Sequence, residues 1–387
     1  MLNSKWKNSL SRMRDNLFAG SICLIFAMPG AALANELTAS VWAPPTHPVT
    51  KYGFLDWAED LEQATDGSLT TRVYTGTAVL PAEAHLSGLR DGVVDITYHA
   101  GTYTPNDLPE DNVIAALSIG LQDSVVIAAA TTDFNMNDMA MRARHKTNGV
   151  VYLGGYASPP YILMCNKKVV DLATIAGARI RMPGAIHSQW AATVDSVPVS
   201  VPSTEMFSGL ERGQLDCAAN SANDLKGRSL WEVAKHVTMV NLGSYYAGWL
   251  HAMNRDAWAG LTIEERQALL ASSTRAVVRT TLGYKAMAEE AISEAAAEGV
   301  VFYEPADDLA EAISSFASTE GLATAISMGT NTFGLTDVEG LISRFKATVA
   351  KWEQLLEGVD RSDAGAIEEL LVANIYSQLD MSSYGLD

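Results

Sequence analysis

Along the chain, short runs that alternate apolar and polar positions trade places with longer runs in which apolar residues recur every three or four positions. Leu37-Thr38-Ala39-Ser40-Val41-Trp42 shows the first pattern and is closed by Pro44-Pro45, which predicts a strand. Phe54, Leu55, Ala58 and Leu61 then recur at helical spacing across 52–64, and Asp66-Gly67 supplies the stop. Alternation returns over 69–74. Residues 82–90 read as helix ended by Asp91-Gly92, 93–98 as strand, 124–147 as a longer helix and 150–156 as strand. This strand-helix-strand order predicts an α/β fold with a largely parallel sheet.

A second unit of the same kind follows. Strands are predicted over 161–166, 178–182, 197–201 and 215–220, with helices over 187–194 and 203–212. Beyond about residue 262 the pattern becomes helical. An Ala-rich helix is predicted over 262–298, with Thr262 as N-cap and Glu264 and Glu265 in its first turn. Helices over 338–358 and 364–379 complete the C-terminal region.

The N-terminus stands apart. Lys5, Lys7, Arg12 and Arg14 precede a short apolar run over 17–28, and Ala32-Leu33-Ala34 provides small residues for cleavage. That is the layout of an export signal, with the cut placed after Ala34. The whole chain of 387 residues has 27 Lys+Arg and 45 Asp+Glu, a formal charge of −18. Removing 1–34 leaves 23 basic against 44 acidic side chains, or −21. Such a balance argues against a nucleic-acid partner, since phosphate contacts need clustered Lys and Arg. Two cysteines remain, Cys165 and Cys217. Buried thiols acting as small hydrophobes are the slightly favoured expectation; one disulfide is the alternative that an exported chain allows.

Catalytic signatures are missing. There is no GxSxG, HExxH, Walker loop or GxGxxG, and the seven histidines are scattered without a pair at metal-ligand spacing. No cofactor, metal or catalytic residue is expected. The segment that stands out is Gly177-Ala178-Arg179-Ile180-Arg181-Met182-Pro183-Gly184. Two arginines two positions apart share one face of an ideal strand. Pro-Gly marks the strand end, where open α/β sheets place ligands. An Arg projecting there can grip a carboxylate through two parallel hydrogen bonds, although a salt-bridged surface Arg is the commoner case.

Four segments, in order, carry a resemblance. They are Thr65-Asp66-Gly67-Ser68-Leu69 with Leu80-Pro81-Ala82-Glu83; Leu89-Arg90-Asp91-Gly92-Val93-Val94-Asp95; the Gly177–Gly184 stretch above; and Glu205-Met206-Phe207-Ser208-Gly209-Leu210-Glu211-Arg212-Gly213-Gln214-Leu215-Asp216. Over about 37–260 the chain resembles the solute receptors of TRAP (tripartite ATP-independent periplasmic) transporters, DctP type. The resemblance implies a two-lobe periplasmic binding protein fold with hinge strands, a long connecting helix and a helical C-terminal region. It divides the chain into lobe 1 (35–158 and 244–290), lobe 2 (159–243 and 291–340) and C-terminal helices (341–387). It implies that Arg181 binds the ligand carboxylate, that Asn220 stands beside it, and that Glu83 belongs to the same site. Two departures are Cys217 where the family commonly has Gly, and Tyr161 where it often has a second Arg.

Trp42, Tyr98, Tyr103, Tyr156, Tyr161, Tyr245, Tyr246 and Trp249 gather at expected strand ends and loops. Of these, Trp42, Tyr98, Tyr161 and Tyr246 are taken as an apolar wall around one anchored carboxylate. The expected ligand is therefore an organic acid, an aromatic or otherwise apolar monocarboxylate, and the resemblance implies the membrane subunits of a TRAP transporter as partners in the periplasm. The alternatives are an exported enzyme acting on a small carboxylic acid, or a receptor for another importer or a sensor.

Overall fold

A computed structural model describes residues 35–386; the expected export signal and its cleavage lie outside the described residues. Among the described residues eleven strands occur in chain order: β1 (Asn35–Val41), β2 (Leu69–Thr75), β3 (Ile96–Ala100), β4 (Val150–Gly154), β5 (Ile162–Cys165), β6 (Arg179–Arg181), β7 (Val197–Val199), β8 (Cys217–Asn220), β9 (His236–Thr238), β10 (Gly248–Asn254) and β11 (Val301–Tyr303). They form two sheets, ordered β2-β1-β3-β10-β4 and β11-β9-β5-β8-β6-β7. Helices cover both, in the layered manner of an α/β chain.

Both sheets are mixed, which corrects the expectation of a largely parallel one. In the first sheet β1 runs parallel to β2 and β3, but β10 is antiparallel to both β3 and β4. In the second, β5 is antiparallel to β8 and β9 while β6 is parallel to β7 and β8. The reason is topological. The chain leaves the first sheet after β4, builds most of the second, and returns as β10 in the reverse direction.

The two crossings lie side by side. The Tyr161 N–H donates to the Gly243 carbonyl at 2.9 Å, the Leu242 N–H to the Tyr161 carbonyl at 3.1 Å, and the Ser158 N–H to the Tyr245 carbonyl at 2.9 Å. Two glycines make this path possible. Gly243 has φ +74° and its backbone passes so close to Ser118 that a Cβ would overlap the Ser118 carbonyl. Gly248, with φ +91°, abuts the His99 carbonyl in the same way. L-residues with a Cβ avoid both conditions.

A third connection is the helix Ile263–Ala295. Thr262 and Glu265 form its capping box, each side chain satisfying the other's backbone N–H. Its first half meets the first lobe through Arg275 on Asp60 and Ser272 on the Trp57 indole. Its last turns meet the second lobe through Glu290 and Glu294, both on Lys226.

The helix expected over 124–147 is broken into Ser124–Asn137 and Met139–Thr147. Asp138, with ψ 132°, ends the first, and its carboxylate accepts from the Ala140 and Met141 N–H groups to cap the second. The C-terminal helices pack against this pair, with Lys351 and the Trp352 indole both on Asp133.

The cysteines are also corrected. β5 and β8 pair so that Cys165 lies opposite Cys217, and the two form a disulfide. The expectation of free thiols fails because strand register, invisible in the spacing, brings the sulfurs together.

Candidate functional site

β6 ends at Arg181, and its parallel neighbour β8 ends at Asn220. From the first sheet, β1 runs into Trp42, β3 carries Tyr98, and the turn Gly101–Tyr103 follows β3. These five residues border one small cavity of about 20 Å³ between the sheets. The crossings add Tyr161 and Tyr245, and the connecting helix adds Tyr284. His47 and Ser203 close the edges. A larger cavity of about 290 Å³ lies elsewhere, beside helix Met139–Thr147 and the C-terminal segment, and does not reach between the sheets.

Arg181 is only 2% exposed. Its Nε donates to the Val201 carbonyl at 3.1 Å, Nη1 to the Ala219 carbonyl at 3.0 Å and Nη2 to the Tyr103 hydroxyl at 3.3 Å. All three partners are neutral. Among the described residues no Asp or Glu pairs with it, whereas Arg179 pairs with Asp216 and Arg228 with Asp224. A guanidinium has five N–H groups, so one hydrogen on each terminal nitrogen has no protein acceptor. A buried cation in this state carries a desolvation cost that no paired protein anion offsets.

Tyr103 joins the two sides. Its hydroxyl accepts from Arg181 and, at 2.9 Å, from the Ser203 N–H. Its own proton is therefore available to a ligand. Around this polar end stands an aromatic wall. Trp42 packs 5.3 Å from Tyr98 and 5.7 Å from Tyr103, and Tyr161 stacks on Tyr245 at 5.9 Å. The Tyr98 hydroxyl donates to that of Tyr156 at 2.8 Å, and the Tyr245 hydroxyl shares a hydrogen with Thr102. Burial pushes the phenols of Tyr98, Tyr161, Tyr245 and Tyr284 above their ordinary range, so the wall stays uncharged.

Asn220 touches the cavity but is already engaged. Its Nδ2 donates to Asp224 at 2.8 Å and its Oδ1 accepts from the Ser221 N–H. Asp224 is fully buried; burial raises its carboxyl above the usual range, against the opposing charges of Arg228 and Arg181. His47 Nδ1 accepts from the Val49 N–H, which places its proton on Nε2, 3.2 Å from the Tyr284 hydroxyl. Burial, then the Arg228 charge, hold His47 well below its ordinary pKa, so it is neutral.

Five of the residues expected at the site, Trp42, Tyr98, Tyr161, Arg181 and Asn220, share this cavity. Glu83 is not among them: it is exposed on the turn Ala82–Ala84. Tyr246 is buried on the other side of its backbone, its hydroxyl donating to the Ile114 carbonyl and its ring stacking on Phe345. The two arginines of β6 also part. Arg179 is exposed and grips Asp216 with Nε at 3.1 Å and Nη2 at 3.0 Å, which holds that carboxyl below its ordinary pKa.

His47, Ser203 and Tyr284 join the cavity without having been singled out. Tyr103 and Tyr245 were visible as aromatics beside strand ends. Tyr284 carries no local signal, because a helix far along the chain delivers it. Among the described residues no group of three or more His, Cys, Asp or Glu side chains is placed to hold a metal ion. No helix among them is long and apolar enough to cross a membrane.

A model of the bacterial extracellular solute-binding proteins of family 7, DctP, matches residues 38–318. The chain is 24% identical over 300 residues to the outer membrane transporter protein TsaT of Comamonas testosteroni, spanning 76% of this chain and 87% of that protein. A solved TRAP periplasmic solute-binding protein from Bordetella bronchiseptica, with bound (R)-mandelate and (S)-mandelate, is 25% identical; it matches with a TM-score of 0.70 over 82% of this chain and 99% of its own. A marine metagenome TRAP solute-binding protein specific for aromatic acid ligands, in complex with 3-hydroxybenzoate, is 20% identical, with a TM-score of 0.74 over 83% of this chain and 99% of its own.

Proposed function

We propose that this chain, which belongs to family 7 of the bacterial extracellular solute-binding proteins, the DctP family, captures an organic monocarboxylate between its two lobes and delivers it to the membrane subunits of a TRAP transporter. The single observation that carries the ligand class is Arg181: a buried guanidinium with two unused N–H groups and only neutral partners. A carboxylate meets that demand through charge-assisted hydrogen bonds. The aromatic wall of Trp42, Tyr98, Tyr161 and Tyr245 favours an aromatic or otherwise apolar body behind the carboxylate. Mandelate and an aromatic acid, bound by two structurally similar receptors, support that choice.

Capture works by population shift. Arg181 ends a strand of the second sheet, while Trp42 and Tyr103 follow strands of the first, so a ligand touching both sides is complete only when the lobes are closed. The crossings at Ser158–Tyr161 and Leu242–Tyr245 supply the hinge. Export to the periplasm agrees with the extracellular character of the family.

A thermal-shift screen of the mature protein against organic acids, aromatic ones included, tests the proposal. The expected result is a rise in Tm with aromatic monocarboxylates, and recovery of the acid unchanged. Conversion of the acid would favour an exported enzyme instead. No response to any carboxylate would sink the reading.

A further inference from the structure

Resting on that reading, we infer that Trp42 is a specificity-determining residue, its indole N–H hydrogen-bonding a second, uncharged oxygen of the ligand, so that the site prefers oxygenated aryl acids to the plain aryl acid and refuses amino acids. Trp42 is 4% exposed and lines the cavity with Arg181. Among the described residues its Nε1 has no hydrogen-bond acceptor. Other buried tryptophans are satisfied: Trp57 donates to Ser272, Trp249 to Thr97, Trp258 to the Tyr384 carbonyl. Among the described tryptophans Trp190 alone shares the orphan state, and it does not border this cavity.

The ring is not free to turn away. Tyr98 and Tyr103 hold it at 5.3 and 5.7 Å, and the Arg228 guanidinium lies over it at 5.5 Å. The wall as it stands supplies no acceptor to it. The Tyr98 hydroxyl is bonded to Tyr156, that of Tyr245 to Thr102, and the Asn220 amide to Asp224 and Ser221. Of the groups left over, two N–H of Arg181, the Tyr103 O–H and the Trp42 N–H can only donate, while the Tyr161 and Ser203 hydroxyls that also line the cavity can donate or accept. A buried donor left unmet is costly, so the complementary ligand brings acceptors. An ammonium brings more donors and a positive charge beside Arg181, and no carboxylate borders the cavity to receive it.

The test is calorimetric titration of wild type and Trp42→Phe with phenylacetate, phenylglyoxylate, the ortho-, meta- and para-hydroxyphenylacetates, and phenylglycine. Phe keeps the aromatic wall and removes the N–H. In the wild type at least one oxygenated acid should bind about 3- to 10-fold more tightly than phenylacetate, the worth of one hydrogen bond. Trp42→Phe should abolish that preference, the ratio of the oxygenated acid's affinity to that of phenylacetate falling to about one, and phenylglycine should not bind. With the preferred acid, but not phenylacetate, the Trp42 indole N–H resonance should move downfield in the wild type, a readout that needs no variant. A preference unchanged in Trp42→Phe, or an indole resonance indifferent to the oxygen, would overturn the inference and leave the carboxylate reading standing. Failure of every acid to bind the wild type would remove both.

Discussion

The hydroxyl of Tyr103, on the turn after β3, lies 3.3 Å from Nη2 of Arg181, at the end of β6 in the opposite sheet. One atom thus ties the proposed anchor of the ligand to the other lobe, and the Ser203 N–H reinforces it from 2.9 Å. Tyr103→Phe keeps the ring against Trp42 and deletes both bonds. We expect carboxylate affinity to fall about 3- to 30-fold, as two modest hydrogen bonds predict, with the fold intact. Calorimetry on the folded variant checks this; an unchanged affinity would show that the hydroxyl is idle.

Arg179 is the natural control for Arg181. It stands two residues earlier on the same strand but reaches Asp216 on the surface. Arg179→Ala should leave ligand affinity unchanged in a direct titration. Abolished binding in a folded Arg179→Ala protein would mean that the anchor has been assigned to the wrong arginine.

The disulfide closes a loop with a sequence separation of 52. Chain-entropy arguments put its worth at about 4 kcal/mol, with about 2–4 kcal/mol more usual in practice. The Cys165→Ala, Cys217→Ala double variant should therefore unfold at a lower denaturant midpoint while still binding acid. Equal midpoints for oxidised and reduced wild type would contradict this.

Acid should weaken the fold. Burial lowers His85 and His187 to about 4 and His99, His145 and His251 to about 3, and His47 falls well below its ordinary value. Their unfolded pKa is about 6.5. Between the two values the unfolded chain binds protons that the folded one refuses. Stability present above pH ~6.5 is lost as pH falls toward the folded pKa values, at about 1.4 kcal/mol per pH unit for each group. Asp111 has the opposite sign: burial raises it to about 7, so its contribution is greatest at low pH and is lost as pH rises through that value. Asp224, also raised, adds to this opposition. Six histidines outweigh two aspartates, and Tm should fall steadily from pH 6.5 to 4.5. A flat or rising Tm over that interval would refute the balance.

What the sequence revealed, and what it hid, follows from how local each signal is. Alternation and caps located β1, β2, β6 and the helix starting at Thr262, since those are properties of neighbouring residues. β10 escaped because all seven of its residues, Gly248–Asn254, are buried; a strand covered on both faces shows no alternation. Strand direction and the Cys165–Cys217 pairing depend on how distant segments meet. Tyr246 was preferred to Tyr245 at the site, yet one step along an extended chain reverses the side chain, and it is Tyr245 that borders the cavity. The arginine pair of β6 stood out because its strand ends in Pro-Gly, while the choice of Arg181 over Arg179 came from the family resemblance. Tyr284 did not, because its place depends on the course of a 33-residue helix.

The most direct test of the central claim is the affinity of one aromatic monocarboxylate for wild type, Arg181→Lys and Arg181→Ala, measured by calorimetry on folded protein. Lysine keeps the charge but not the planar fork, so affinity should drop with Lys and drop further with Ala. The Ala loss should reach about 2–5 kcal/mol, roughly 30- to several-thousand-fold. An Arg181→Ala protein that binds the acid as tightly as wild type would contradict the account.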